Sequence, residues 1–175
     1  MRATPPASEV LIRPAQEGEY EAVGALTVAG YDFDGYLTFP DGTFDDAYAG
    51  WLADAASRAR NSTLLVAVDG DDLVGTVTWC PYGSADAQLA KEPHQGEFRT
   101  LSIAPEARGR GIGRALVEDC LDRARAAGLT EVLLFSLKEM APAHRLYGRL
   151  GFGRRPELDW SPDPGVNLWA FSLSL

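Results

Sequence analysis

The run with the most chemistry in this sequence is Arg108-Gly109-Arg110-Gly111-Ile112-Gly113-Arg114. Three glycines in five positions remove side chains where a backbone must come close to something. The run leads into a long amphipathic pattern and so opens a helix, whose start presents unpaired amides and about half a positive charge. Open backbone, amides and three arginines together suit a pyrophosphate. A plainer alternative stays open here: glycines that only turn the chain, beside arginines that only meet water. Two familiar phosphate loops fit badly. In G-x-G-x-x-G counted from Gly109, the third glycine position holds Arg114. The acid wanted about 20 residues on falls at Glu131, ahead of its strand instead of at its end. A G-x-x-x-x-G-K-[ST] loop is absent from the sequence.

The remaining reactive side chains are sparse. His94 and His144 have no ligand neighbours at metal-binding spacing, so no metal is expected. Cys80 falls in a strand pattern and Cys120 in the apolar stripe of a helix, and nothing nearby supports Cys80 as a nucleophile. Two cysteines make no disulfide framework, and a reducing cytoplasm is the default compartment.

These residues are carried by a recognisable order of elements. A short strand at 10–13 stops at Pro14, and 17–29 has a loosely helical spacing. Residues 30–42 follow neither period and read as a loop. Thr43, with Asp46 in the first turn, marks the N-cap of a helix to about Arg60 that buries Tyr48, Trp51, Leu52 and Ala55. Residues 64–68 and 73–79 form a hairpin about Asp69-Gly70-Asp71-Asp72. Residues 84–95 are a polar loop. A strand at 97–103 places Phe98, Thr100 and Ser102 on one face and Glu97, Arg99, Leu101 and Ile103 on the other. Pro105 ends it. Residues 111–127 form the strongest helix, with Ile112, Leu116, Cys120 and Ala124 four apart and Gly128 as its C′ residue. The continuous apolar run at 132–135 reads as a strand buried on both faces. A helix at 141–150 closes at Gly151, and strands at 153–155 and 167–173 finish the chain. The order β-α-α-β-β-β-α-β-α-β-β describes one mixed α/β sheet with helices on its faces.

Length and composition set the bounds. The 175 residues, 46% apolar and 23% charged, fit one soluble domain. Residues 1–8 hold no apolar core segment and read as a flexible tail instead of a signal peptide, leaving 9–175 as the domain. No apolar stretch approaches the ~20 residues of a membrane span. The net charge of −9 argues against non-specific nucleic-acid binding. It is uneven: residues 1–97 hold five Lys/Arg against sixteen Asp/Glu, and residues 98–175 eleven against nine. An acidic half suits cations, and the other half suits an anion.

Two motifs join these observations. Arg108-x-x-Gly111-x-Gly113, preceded by Leu101-Ser102-Ile103-Ala104-Pro105, resembles the acyl-CoA signature of the GNAT superfamily of N-acetyltransferases. Ala143-His144-Arg145-Leu146-Tyr147, followed by Gly148-Arg149-Leu150-Gly151-Phe152, resembles that family's second motif, A-x-x-L-Y-x-x-x-G-F. The resemblance is firm from Leu64 to Phe152. It implies a V-splayed sheet with the pantetheine arm of acetyl-CoA between the fourth and fifth strands. Main-chain groups of Leu101 and Ile103, beside Ser102, would hold that arm, and the amides of Gly109, Arg110, Gly111, Ile112, Gly113 and Arg114 would hold the pyrophosphate. One position departs: family members often carry an asparagine seven residues before the motif tyrosine, and here it is Met140.

The chemistry implied is direct transfer of an acetyl group to an amine. A lysine-like ammonium is only about 0.04% neutral at pH 7, a cost of about 4.6 kcal/mol, so a base is needed. The resemblance points to Tyr147 as the acid for the leaving thiolate and to Glu97, at the head of the fourth strand, as the base. From the residues alone, Tyr147 fits a core tyrosine and Glu97 a strand-edge acid paired with Arg99. The acidic, aromatic run Tyr31-Asp32-Phe33-Asp34-Gly35-Tyr36, with Asp41, Asp45 and Asp46, suits a small cationic amine or a protein amino group, and suits a solvated loop as well. A non-catalytic acyl-CoA module and a nucleotide-binding regulatory domain are the competing functions. The last strand fits either an intramolecular place in the sheet or pairing across a homodimer.

Overall fold

The structure, a computed structural model, describes residues 10–175; the expected tail at residues 1–8 lies outside the described residues. Edge strand β1 (Leu11–Pro14) leads through a short turn into helix α1 (Tyr20–Phe33). Helices α2 (Asp46–Ala53) and α3 (Ala55–Asn61) precede strands β2 (Thr63–Asp69), β3 (Asp72–Pro81) and β4 (Gln95–Ile103). Helix α4 (Ile112–Ala126), strand β5 (Glu131–Leu137), helix α5 (Ala141–Arg149) and strands β6 (Gly153–Arg154) and β7 (Leu168–Ser174) complete the chain. All seven strands join one sheet in the order β1-β2-β3-β4-β5-β7-β6. Only β4 and β5 run parallel; the other neighbours are antiparallel.

Both faces of the sheet are covered, as the alternation along β2 requires. Leu64, Val66 and Val68 meet Val23 of α1 and Ala55 of α3. Leu65 and Ala67 point the other way, into the core beneath Ile112, Leu116, Val117 and Cys120 of α4. Each large aliphatic side chain buried in this way contributes roughly 1.5–3 kcal/mol. Gly128 follows α4 at φ +72°, the left-handed C′ position expected of it. β7 sits between β5 and β6, so its place in the sheet is intramolecular.

Four local readings are corrected. Pro14 does not stop β1 but is its last paired residue, opposite Leu65; an edge strand tolerates the missing N–H. Residues 30–33 are the last turn of α1 and not a loop. Gly30 is needed there because a Cβ would lie 2.1 Å from the Ser102 hydroxyl on β4. Thr43 is not an N-cap: its amide and hydroxyl donate to Asp41, and Asp45 caps α2 by accepting from the Tyr48 amide at 3.0 Å. The helix expected to run to Arg60 breaks at Asp54, whose carboxylate accepts from the Ser57 amide and restarts it as α3.

A fifth correction shapes the site. β4 does not alternate throughout. Thr76 pairs with Ser102 and Thr78 with Arg99, so Thr100 and Leu101 together oppose one residue of β3. Thr100 takes φ +57° in this bulge, unusual for a β-branched residue. The extra residue turns side chains over. Phe98, Leu101 and Ile103 enter the core beneath α4, while Arg99, Thr100 and Ser102 all face α1 and its neighbours.

Candidate active site

The sheet opens where β4 meets β5. Their ladder holds only three pairs, Gln95 with Glu131, Gly96 with Val132 and Glu97 with Leu133. Beyond it β4 continues to Ile103 and β5 to Leu137 without bonding each other. The bulge at Thr100 sits on this free length, and bulges increase local twist. A cavity of about 720 Å³ fills the opening. It reaches β4 at Arg99 and Thr100 and β5 at Phe135, Ser136 and Leu137. Tyr31, Tyr48 and Trp51 form an aromatic wall, with Tyr48 stacked on Trp51 at 5.8 Å and Tyr31 edge-on to Tyr48 at 6.1 Å.

The glycine-rich run lies at the end of β4. Gly109 and Gly111 both take φ +77°, a conformation that L side chains rarely adopt, and a Cβ at either would meet open space. Gly111 is the N-cap of α4 and provides no side-chain cap. Among the described residues, none of the amides from Gly109 to Arg114 donates to a protein acceptor. Six consecutive free amides at a helix start are what a diphosphate requires. The three arginines are not mobile cations. Arg108 pairs with Asp34 at 2.8 Å, Arg110 with Asp69 at 2.7 Å and Arg114 with Glu118 at 2.8 Å. Leu101 and Ile103 turn their side chains into the core, and the Ser102 hydroxyl faces the Thr27 carbonyl at 3.4 Å.

Tyr147 lies on the inner side of α5 among Phe98, Phe152 and Phe171, each ring about 5.9 Å away. Burial pushes its phenol above the ordinary range, so it stays protonated at neutral pH. Glu97 is 0% exposed. It is not paired with Arg99; its Oε1 accepts from the amides of Gln88, Leu89 and Ala90 at 2.5, 2.6 and 3.0 Å. Its Oε2 is buried with no partner. Burial raises its pKa, and the three amide bonds counteract part of that rise. Neither Tyr147 nor Glu97 lines the cavity itself.

The profile of the acetyltransferase (GNAT) family matches residues 26–152. The chain belongs to this GNAT family. An IAA acetyltransferase of Azospirillum brasilense is 40% identical over 91 residues, covering 51% of this chain and 57% of that protein. A mycothiol acetyltransferase of Pseudarthrobacter chlorophenolicus is 32% identical over 154 residues, covering 83% of this chain and 43% of that protein. The chain thus spans between about two fifths and three fifths of these two relatives. Among solved structures, yncA of Salmonella typhimurium with its cofactor acetyl-CoA superposes at a TM-score of 0.65 and 20% identity, over 95% of this chain and 94% of that one. A ribosomal-protein-alanine N-acetyltransferase of Brucella melitensis superposes at 0.66 and 21% identity, over 94% and 99%. These likenesses establish the V-splayed GNAT fold.

Within this GNAT site the acidic run divides. Asp34, Gly35, Tyr36 and Asp45 line the cavity with Tyr31, whereas Phe33 is 68% exposed beneath the Arg108 guanidinium. Asp41 is taken by Thr43, and Asp46 begins α2. Met140 lines the cavity and offers its thioether to the Ser136 hydroxyl at 3.5 Å. His144 places Nε2 3.1 Å from both Ser136 Oγ and the Leu137 carbonyl and stacks on Trp169. Cys80 and Cys120 are free and buried; burial lifts the Cys80 thiol to about 12 and raises Cys120 well above the ordinary thiol range, so neither supplies a thiolate at neutral pH. Among the described residues no helix is long and apolar enough to cross a membrane. Sequence reading missed Arg99, Phe135 and Trp160 as cavity residues. The reading of Tyr48 and Trp51 as plain core hid their part in the wall. The one available signal was Thr100, a polar residue in the middle of a strand that had been given regular alternation.

Proposed function

We propose that this protein is an N-acetyltransferase that moves an acetyl group from acetyl-CoA to a primary amine by direct attack within a ternary complex. The observation that carries this reading is the row of unpaired amides from Gly109 to Arg114 beside the gap between β4 and β5. Those amides hold the pyrophosphate, and main-chain groups of Leu101 and Ile103 align the pantetheine arm with the free edge of β4. Ser102 keeps that edge fixed against α1.

In the transfer an N–C bond forms and the thioester C–S bond breaks. Glu97, acting through water because it does not line the cavity, takes one proton from the amine. Its raised pKa makes it a better base than an ordinary carboxylate. Tyr147, kept neutral by burial and likewise set back from the cavity, gives a proton to the departing thiolate through water and takes back the second N–H proton released as the amide forms. The acceptor is a small amine or a protein amino group. The exposed carboxylates of the cavity lining that have no ion pair, Glu139 and Asp163, favour the approach of a cationic amine. We place this activity in a single domain in the cytoplasm, where buried free thiols persist.

The test combines thiol release with binding. Acetyl-CoA and pooled amines should release coenzyme A thiol at a rate that depends on the amine. Coenzyme A should raise the melting temperature more than ATP or NAD does. Stabilisation without thiol release would leave only an acyl-CoA-binding module, and stabilisation by ATP or NAD alone would leave a nucleotide-binding domain.

A further inference from the structure

We propose that Arg99 anchors an acidic group of the acceptor, so that the substrate is a small amine carrying its own oxyanion, an α-amino acid in the simplest case. This rests on the acetyltransfer reading above and narrows its acceptor.

The first ground is the pairing of arginines. Those at 13, 108, 110, 114, 123, 125, 154 and 155 each have a carboxylate within 4.0 Å. Among the described residues, Arg58, Arg60, Arg99, Arg145 and Arg149 have none, and of these Arg58 and Arg99 face the cavity side of β4. Arg58 is only 1% exposed, and its donors reach the hydroxyls of Thr27, Thr78 and Thr100 and the Leu52 carbonyl. It supplies fixed positive charge from behind the wall. Arg99 reaches the cavity. It spends one N–H on the Asp86 carbonyl at 3.0 Å, and its guanidinium lies over the Trp51 ring at 4.5 Å. A guanidinium has five donors in a rigid fork, so a stacked arginine with one bond made is preorganised for an oxyanion.

Neighbouring acids do not occupy that fork. Glu97 commits Oε1 to three main-chain amides. Asp86 turns its carboxylate toward Ser62 at 3.4 Å and offers Arg99 only its carbonyl. Asp34 is paired with Arg108, and Asp45 caps α2. The other cavity carboxylates, Glu139 and Asp163, are exposed, whereas Arg99 is half-buried on β4. Tyr31 and Tyr48 line the same cavity wall as Arg99.

Position completes the argument. Thr100 in the bulge is what turns Arg99 and Thr100 together toward the cavity, at the point where β4 and β5 part. In an α-amino acid the nitrogen is two bonds from the carboxylate carbon. An anion held by Arg99 therefore keeps the amine at the strand gap where the thioester would lie.

The experiment measures kcat/KM with acetyl-CoA for matched pairs: phenylalanine against phenethylamine, leucine against isoamylamine, and aminoethylphosphonate against ethylamine. Spermidine and a lysine peptide serve as anion-free amines. The wild type should favour the anionic member of a pair at least tenfold, and Arg99→Gln should cut that ratio at least tenfold, mainly through KM. Arg99→Lys should recover part of it. The carboxylate and phosphonate arms show which oxyanion fits. An unchanged acetyl-CoA Kd in each variant shows that the fold and coenzyme site persist. Equal use of both members, a preference that survives Arg99→Gln, or spermidine and the peptide as best substrates would overturn the assignment while acetyltransfer stands. Failure of the wild type to bind acetyl-CoA would instead remove the acetyltransfer reading beneath it.

Discussion

The guanidinium of Arg108 meets the carboxylate of Asp34 at 2.8 Å, across 74 residues of sequence. It also donates to the Gly30 carbonyl at 3.2 Å and lies over Phe33 at 5.3 Å. Arg108 therefore fastens the glycine-rich turn to the end of α1, and its charge is already paired. Partly exposed pairs of this kind contribute about 0.2–1 kcal/mol. Arg108→Ala should weaken coenzyme A binding by no more than about fivefold, and Asp34→Ala should have a similar effect, as measured by titration calorimetry. A loss of a hundredfold or more for Arg108→Ala alone would mean that the side chain leaves Asp34 to hold phosphate directly.

The backbone at Gly111 should matter more than that side chain. A Cβ there meets no neighbour, but φ +77° is left-handed, at a cost of about 1–2 kcal/mol for an ordinary residue and more for a β-branched one. Gly111→Val should lower the melting temperature and weaken coenzyme A binding by more than Arg108→Ala does. Equal Kd values in the two variants would contradict a main-chain phosphate site.

Tyr147→Phe keeps the aromatic cluster and removes one hydroxyl. We expect kcat to fall at least tenfold, with the KM for acetyl-CoA and the melting temperature little changed. An unaltered kcat would reduce Tyr147 to a core residue.

Glu97 links activity to pH and to stability. Its pKa is raised in the folded state, so the folded protein holds this proton more tightly than the unfolded chain does. Its contribution is fully present below the unfolded pKa near 4.5 and is lost as pH rises through the higher folded value. Glu97→Gln should flatten that part of the urea-unfolding profile above pH 4.5 and lower kcat at least tenfold at pH 7. A variant with full activity at every pH would exclude Glu97 as the base.

Met140 stands where the resemblance places an asparagine, and a thioether is a weak acceptor with no N–H. Met140→Asn should tighten acetyl-CoA binding by roughly fivefold, the worth of one added hydrogen bond of about 1 kcal/mol. No change in Kd would show that the amide has no partner in this site.

Much of this molecule is local and was therefore legible in the residue order. The periodicity of α4, the hairpin turn at Gly70, the C′ glycine at 128 and the apolar run of β5 each express one element's own backbone preferences or burial. The two motifs added the V-splayed sheet and the glycine-rich turn before α4, because open backbone leaves its mark as glycines at fixed spacing. The cavity between β4 and β5 left no such mark. Its residues come from α1, α2, β4, β5, the start of β7 and the loops between elements, and nothing in their separate patterns says that they converge. The face assignment failed at Thr100 because a single inserted residue reverses a period of two, and only the pairing with β3 reveals that residue. Arg99 became a cavity residue through that reversal. The role given to Arg108 changed for a similar reason: an ion pair with Asp34 exists only once α1 has docked against the end of β4.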